Sequence, residues 1–135
     1  MIQIVKDSDT RPWFFLQTAH TTYGMRVIET GHLEHLYYGE RITVDSQDPS
    51  SCAPLVIQRA FAPGNTCTYD REHPQISMED VCLEVGTLGK GDIREPFLEV
   101  RFADGSVTSD FTFDSYKVIT LKEREQCLQD SGLPH

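Results

Sequence analysis

The densest group of side chains capable of chemistry is G-H-L-E-H-L-Y-Y-G, residues 31–39. His32, Glu34 and His35 place two imidazoles and a carboxylate within four residues. These are the donor types of a zinc site or of general acid–base catalysis. What they can do depends on the backbone. In a helix, residues three apart share a face, and His32 and His35 would grip one ion. In a strand, successive side chains point to opposite faces. His32, Glu34, Leu36 and Tyr38 then share one face and Leu33, His35 and Tyr37 the other, so the sheet separates the histidines. Gly31 and Gly39 bracket only seven residues, too few for a stable helix, and the pair Tyr37–Tyr38 favours sheet. The segment is predicted as a strand with half-buried histidines and no metal site. His20 and His73 fall in predicted loops without a partner at ligand spacing.

Other motifs add no chemistry. D-S-D-T (7–10) and D-S-Q-D (45–48) are acidic loops without the glycine and terminal glutamate of an EF-hand. G-x-S-x-G, a P-loop and a dinucleotide fingerprint are all missing, and no cofactor is implied. A serine triad or a glycosidase carboxylate pair is a spatial arrangement that spacing alone does not reveal. Cys52, Cys67, Cys82 and Cys127 show no C-x-x-C spacing, which argues against a zinc ribbon or a thioredoxin-like site. Two disulfides are formally allowed. The first residues, M-I-Q-I-V-K-D-S-D-T, lack the features of a secretory leader, so four reduced thiols in a cytoplasmic protein are expected. The net charge of -9 argues against nucleic acid or an anionic membrane as partner. No apolar run is long enough to span a bilayer.

The elements that must carry these residues are mostly strands. The 135 residues suffice for a single domain with a real core. W-F-F-L-Q-T (13–18), T-Y-G-M-R-V-I-E (22–29) and H-L-E-H-L-Y-Y (32–38) alternate with period two and are joined by short turns, one at Thr30–Gly31. That order predicts an antiparallel meander. Residues 45–54 are loop by composition, 54–61 (P-L-V-I-Q-R-A-F) fit a strand, and 67–95 show no clear pattern. F-L-E-V-R-F (97–102) and S-V-T-S-D-F-T-F-D (106–114) flank Asp104–Gly105, the pair that tolerates a tight hairpin turn. Val107, Phe111 and Phe113 would face one way there, with Thr108, Asp110, Thr112 and Asp114 facing water. Y-K-V-I-T-L (116–121) is a further predicted strand. Residues 122–132 fit a short polar helix stopped by Gly132 and Pro134. The predicted class is all-β, an antiparallel sandwich with a short helix near its C-terminal end.

The order of several motifs resembles glycoside hydrolase family 36, the α-galactosidases. F-x-L-Q-T-x-x-T-x-Y-x-M-x-V followed by G-x-L-x-H-L-Y-Y-G looks like the family's opening. Q-R-A-F-A-P (58–63) is similar to its Arg-Ala-Phe-Ser-Pro segment, and S-M-E-D-V-C-L-E (77–84) to its Ser-Leu-Asp-Thr segment, which ends on a glutamate. G-K-G-D-I-R-E-P (89–96), the D-G-S turn with D-F-x-F-x-S-Y-K-V-I, and S-G-L-P (131–134) continue the series. The resemblance spans nearly the whole chain in the right order.

Such a resemblance implies that residues 1–135 form the first part of a large N-terminal β-sandwich, itself part of a β-supersandwich. The family's retaining catalytic aspartates lie on a separate (β/α)8 barrel, so no residue here is expected to be catalytic. Asp92, Asp110 and Glu84 in particular carry no such role. In tetrameric members, a loop of this domain reaches a neighbouring subunit's active site. An aspartate just before the Arg-Ala-Phe segment contacts the sugar there. Here that position is Gln58, followed by Arg59. A glutamine can hydrogen-bond a hydroxyl but cannot accept as a carboxylate does. The implied partners are the rest of the enzyme, neighbouring subunits and an α-galactoside such as melibiose or a raffinose-type sugar. The strands still to come would leave an open sheet edge, from which self-association or marginal stability is expected. Two rivals have other predicted behaviour: a stand-alone carbohydrate-binding β module without hydrolytic activity, and a protein–protein scaffold using the open edge.

Overall fold

The computed structural model describes residues 1–7, 11–56, 68–78, 80–92 and 95–120, together with 122, 123 and 126. Four strands form one antiparallel sheet in chain order: β1 (Ile2–Lys6), β2 (Pro12–Gln17), β3 (Thr21–Val27) and β4 (Leu33–Glu40). The predicted meander is present. β1 is an additional strand, too short a run at the chain's start for its alternation to identify it.

Local chemistry closes the turns. Between β2 and β3, the Thr18 hydroxyl accepts from the backbone N–H of His20 and Thr21 at 3.2 and 3.0 Å, a side chain standing in for a backbone turn. Between β3 and β4, Gly31 N–H donates to the Ile28 carbonyl and Ile28 N–H to the His32 carbonyl, both at 2.9 Å. Gly31 sits at φ +85°, a conformation that a Cβ would strain.

Register decides the faces. Phe15 opposes Gly24 and Trp13 opposes both Val5 and Arg26, so these side chains share a face. Val5, Trp13, Phe15, Leu36, Val44 and Cys52 make the buried core on that side, ringed by Tyr37, Ile42, Leu55 and Val56. The Phe15 ring occupies the space above Gly24: a Cβ there would lie 3.0 Å from Phe15 Cε1. Phe14 points to the other face and packs on Phe113 and Tyr116 at ring distances of 5.9 and 5.1 Å. The three consecutive aromatics thus straddle the strand.

A bulge modifies the expected alternation of β4. Tyr23 pairs with Tyr38 and Met25 with His35, while Gly24 pairs with Tyr37. Leu36 is the extra residue, so Leu36 and Tyr37 both reach the core, and His35 joins Tyr38 on the opposite face. His32 precedes the strand and belongs to the turn. The predicted grouping of His32, Glu34, Leu36 and Tyr38 on one face is corrected accordingly.

Three other expectations change. Residues 49–55, read as the end of a loop and the start of a strand, form a 3-10 helix (Pro49–Leu55) that carries Cys52 into the core. The Asp48 carboxylate accepts from Ser50 N–H at 3.0 Å, and proline holds the first helical position, a pairing that favours helix initiation. The remainder of the proposed 54–61 strand, from residue 57, lies outside the described residues. The turn at 102–106 forms, with Gly105 at φ +86° and Phe102 N–H bonded to the Ser106 carbonyl at 2.9 Å. Its flanks at 97–102 and 106–114, however, are not ladder strands, and neither are the described residues of 116–121. Aromatic contacts to β2, the bond from Phe113 N–H to the Gly31 carbonyl (2.7 Å) and an isolated bridge between Leu98 and Thr87 hold this stretch in place of a ladder. Asp110 is exposed, as expected, and in addition bonds two side chains, as described below.

Short strands β5 (Thr87–Leu88) and β6 (Gly91–Asp92) follow a segment that docks on the outer edge of β4. There His35 N–H donates to the Cys82 carbonyl at 2.7 Å and Glu84 N–H to the Leu33 carbonyl at 2.9 Å. Of the helix predicted over 122–132, Lys122, Glu123 and Gln126 are helical, and its other residues and its stop at Gly132 and Pro134 lie outside the described residues. Thr120 and Glu123 make its reciprocal cap: Thr120 N–H donates to Glu123 Oε2 at 2.7 Å and Glu123 N–H to Thr120 Oγ1 at 3.4 Å. The result is an all-β chain, mostly antiparallel sheet with a short helix.

Candidate functional site

The two histidines that concentrate the sequence's chemistry end on separate carboxylates. His32 is only 2% exposed. Its Nε2 lies 2.5 Å from Asp110 Oδ1 and its Nδ1 2.7 Å from the Thr30 hydroxyl. Tyr69 donates to the other Asp110 oxygen at 2.6 Å and stands edge-on to the His32 ring at 5.0 Å. Lys90 Nζ lies over the Tyr69 ring at 4.7 Å. Burial pushes the Asp110 carboxyl up, but the bonds from Tyr69 and His32 and the positive charge of Lys90 outweigh it and hold the carboxyl below its usual range. An ionised carboxylate only accepts, so His32 Nε2 carries the proton that it donates. The same contact raises the Tyr69 hydroxyl to about 12, with burial adding to it.

His35 belongs to a second cluster on the Phe14 side of the sheet. Glu84 takes the Tyr23 hydroxyl at 2.5 Å on one oxygen and His35 Nδ1 at 3.0 Å on the other. Burial first, and then the bond to Glu84, raises Tyr23 to about 12. Tyr38 is 70% exposed beside them, its ring 6.0 Å from that of Tyr23. His73, expected to lack a partner, bonds Asp70 at 2.9 Å. Glu84 and Asp110 thus have both oxygens committed to side chains. Clusters of this kind fasten segments together: the turn before β4 to residues 69 and 110, and β3 and β4 to residue 84. Among the described residues, no group of three or more His, Cys, Asp or Glu could hold a metal ion.

Open space lies elsewhere. A cleft of about 630 Å³ separates the Trp13–Arg26–Glu34 corner of the sheet from Gln75, Ile76, Ser77, Asp80 and Val81. Register explains the corner. Arg26 opposes both Trp13 and Glu34, so its guanidinium packs 5.1 Å from the indole and its Nε bonds Glu34 at 2.6 Å. Gln75 Nε2 spans to Glu29 Oε1 at 2.7 Å. Ser77 lines the cleft, is 2% exposed, and its hydroxyl has no hydrogen-bond partner among the described residues.

Gln58 and Arg59 lie outside the described residues, although Val56, two positions before Gln58, lines this cleft. Sequence reasoning missed the roles of Asp110, Tyr69, Glu84 and Tyr23. The separations of 78 residues between His32 and Asp110, and 61 between Tyr23 and Glu84, leave no local signal from which to find them. It also missed the cleft, whose walls come from distant segments.

Comparison with known proteins gives a consistent picture. Residues 31–135 match the model of the glycosyl hydrolase family 36 N-terminal domain. The chain is 37% identical over 123 residues to a bifunctional α-galactosidase/sucrose kinase, AgaSK, of Mediterraneibacter gnavus, covering 90% of this chain and 12% of that protein. It is 26% identical over 122 residues to the α-galactosidase AgaA of Geobacillus stearothermophilus, covering 90% of this chain and 16% of that one. Its fold is similar to the crystal structure of an α-galactosidase from Lactobacillus brevis, with TM-score 0.67 and 31% identity over 84% of this chain and 14% of the other. The galactosidase domain of AgaSK gives TM-score 0.64 at 28% identity, over 84% and 15%. The chain therefore spans about an eighth to a sixth of the length of the curated relatives it matches.

Proposed function

From the premise that the chain belongs to the glycosyl hydrolase family 36 N-terminal domain family, we propose that it is a non-catalytic part of an α-galactosidase. It would support assembly and help to shape the pocket of an enzyme that hydrolyses terminal α-galactosides in melibiose or raffinose-type sugars. The observation that carries this reading is the match over 84% to 90% of the chain to proteins of which it covers only 12% to 16%. The commitment of Glu84 and Asp110 to neighbouring side chains supports the non-catalytic role. The proposal extends to Gln58 and Arg59 as sugar contacts in the complete enzyme, on the strength of the Arg-Ala-Phe segment. It also extends to self-association through apolar surface, supported by exposed Phe97, Phe102, Phe111 and Val118, and to a cytoplasmic location, supported by the free thiols of Cys52 and Cys82.

The primary test is to read the source DNA past codon 135 and assay the product. An open frame continuing into a barrel, with hydrolysis of an α-galactoside by the full product and none by residues 1–135 alone, is the expected result. A stop codon at that point with no linked barrel would overturn the assignment. In the complete enzyme, Gln58→Ala should raise KM more than it lowers kcat if that side chain holds the sugar.

A further inference from the structure

We propose that the cleft between the Trp13–Arg26–Glu34 corner and the Gln75–Ser77 segment is a binding site for one neutral saccharide unit, separate from any catalytic centre. Its size falls within the range of small-ligand sites. Its chemistry narrows the ligand class. Four carboxylates, Asp7, Glu29, Glu34 and Asp80, line it against two guanidiniums, Arg11 and Arg26, so an anion would meet net repulsion. A bare metal ion is also a poor fit, because the described residues contain no cluster of three or more ligating groups. What the walls offer is a mixture of donors and acceptors at short intervals, which suits a neutral polyol carrying several hydroxyls. The Arg26–Glu34 bond and the Gln75–Glu29 bond hold these groups in place before a ligand arrives, reducing the ordering cost of binding.

Ser77 supplies an independent observation. Buried hydroxyls are normally hydrogen-bonded, yet the Ser77 hydroxyl, in a residue 2% exposed on the cleft wall, has no partner among the described residues. The oxygen is closed to solvent as it stands, and rotation of the side chain about χ1 would present it to a ligand hydroxyl in the cleft. Trp13 does not act as a stacking platform, since it is buried and covered by Arg26. Recognition here is by hydrogen bonding at the cleft wall.

The choice of test sugars rests on the α-galactosidase reading; the cleft's chemistry does not. The 135-residue chain, isotopically labelled, would be titrated with galactose, melibiose and raffinose, and separately with inorganic phosphate, while amide and indole signals are followed by NMR. Saturable shifts centred on Arg26, Gln75 and Ser77 with a sugar, and none with phosphate, are expected. Ser77→Ala and Gln75→Ala should each weaken binding by about fivefold, the effect of one lost hydrogen bond, without lowering the unfolding midpoint. Absent or unsaturable shifts with every sugar would overturn the inference, as would phosphate binding, or a Ser77→Ala chain that keeps its affinity. Intact hydrolysis by the complete enzyme alongside no binding here would sink only this inference. Sugar binding by a chain with no barrel in its gene would sink only the enzymatic reading.

Discussion

Phe15 in β2 and Phe97 at the start of the later alternating stretch are the same side chain in opposite situations. Phe15 is fully buried over Gly24, whereas Phe97 is 78% exposed. The contrast extends to the regions around them. The sheet from β1 to β4 has a partner strand or docked segment along each stretch and a core on the Phe15 side. The stretch from 97 to 120 has the same alternation and a closed turn, but it is tied down by a few aromatic contacts and a polar staple. An alternating pattern makes a segment able to be a strand; a neighbour with free backbone groups in register makes it one. Exposed Phe97, Phe102, Phe111, Val118 and Ile119 are what such a stretch looks like without that neighbour.

The largest test of this contrast is a pair of truncations. Phe15→Ala should cost about 3–5 kcal/mol, as a large buried ring leaving a cavity does. Phe97→Ala should stay within about 0.5 kcal/mol. Urea unfolding of both variants measures the difference; equal losses would mean that the two regions are equally packed.

Next comes the staple that joins them. His32→Ala leaves one Asp110 oxygen and the Thr30 hydroxyl without their partner and should destabilise the chain by about 1–3 kcal/mol. A double-mutant cycle with Asp110→Ala should return a coupling of about 0.5–3 kcal/mol. A coupling of zero would separate the 110 segment energetically from the β3–β4 turn. Amide exchange at Phe113, whose N–H bonds Gly31, should accelerate in His32→Ala, while exchange within β2 changes little.

Acidity and alkalinity act on the clusters in opposite directions. The Asp110 carboxyl lies below its usual value, so its contribution is full above the unfolded carboxylate value of about 4 and is lost as pH falls through the lower folded value. Tyr23 and Tyr69 are raised to about 12. Their contribution is full below the unfolded phenol value of about 10 and is lost as pH rises towards 12. Unfolding midpoints across pH 10 to about 12 should therefore fall in the native chain and fall less in a Tyr23→Phe, Tyr69→Phe double variant. An unchanged slope would break the assignment.

The smallest effects distinguish the two glycine turns. Gly31 and Gly105 share a positive φ, but a Cβ on Gly31 would meet Thr112 at 3.3 Å, whereas one on Gly105 meets nothing within 4 Å. Gly105→Ala should cost about 1–2 kcal/mol for the backbone alone. Gly31→Ala should cost somewhat more, and Thr112→Ser should not relieve the part due to φ. Thermal unfolding of the three variants orders them.

The sequence by itself determined the all-β class, the meander of β2, β3 and β4, both glycine turns, the straddling of Trp13–Phe15 and the family. Each of these is written in near neighbours: period two, turn residues, or motifs in order. Strand alternation did not place the histidines: His32 lies in the turn before Leu33, and the bulge sets the face of His35. Tertiary structure alone decided the rest. The bulge at Leu36 shows only when β4 is laid against β3. Partners such as Asp110 and Glu84 are brought to the histidines by chain folding over tens of residues. The cleft is the space left between elements that have no sequence relation. The stretch from 97 to 120 carries a strand's pattern but only an isolated bridge at Leu98, because pairing is a property of two segments and a pattern belongs to one.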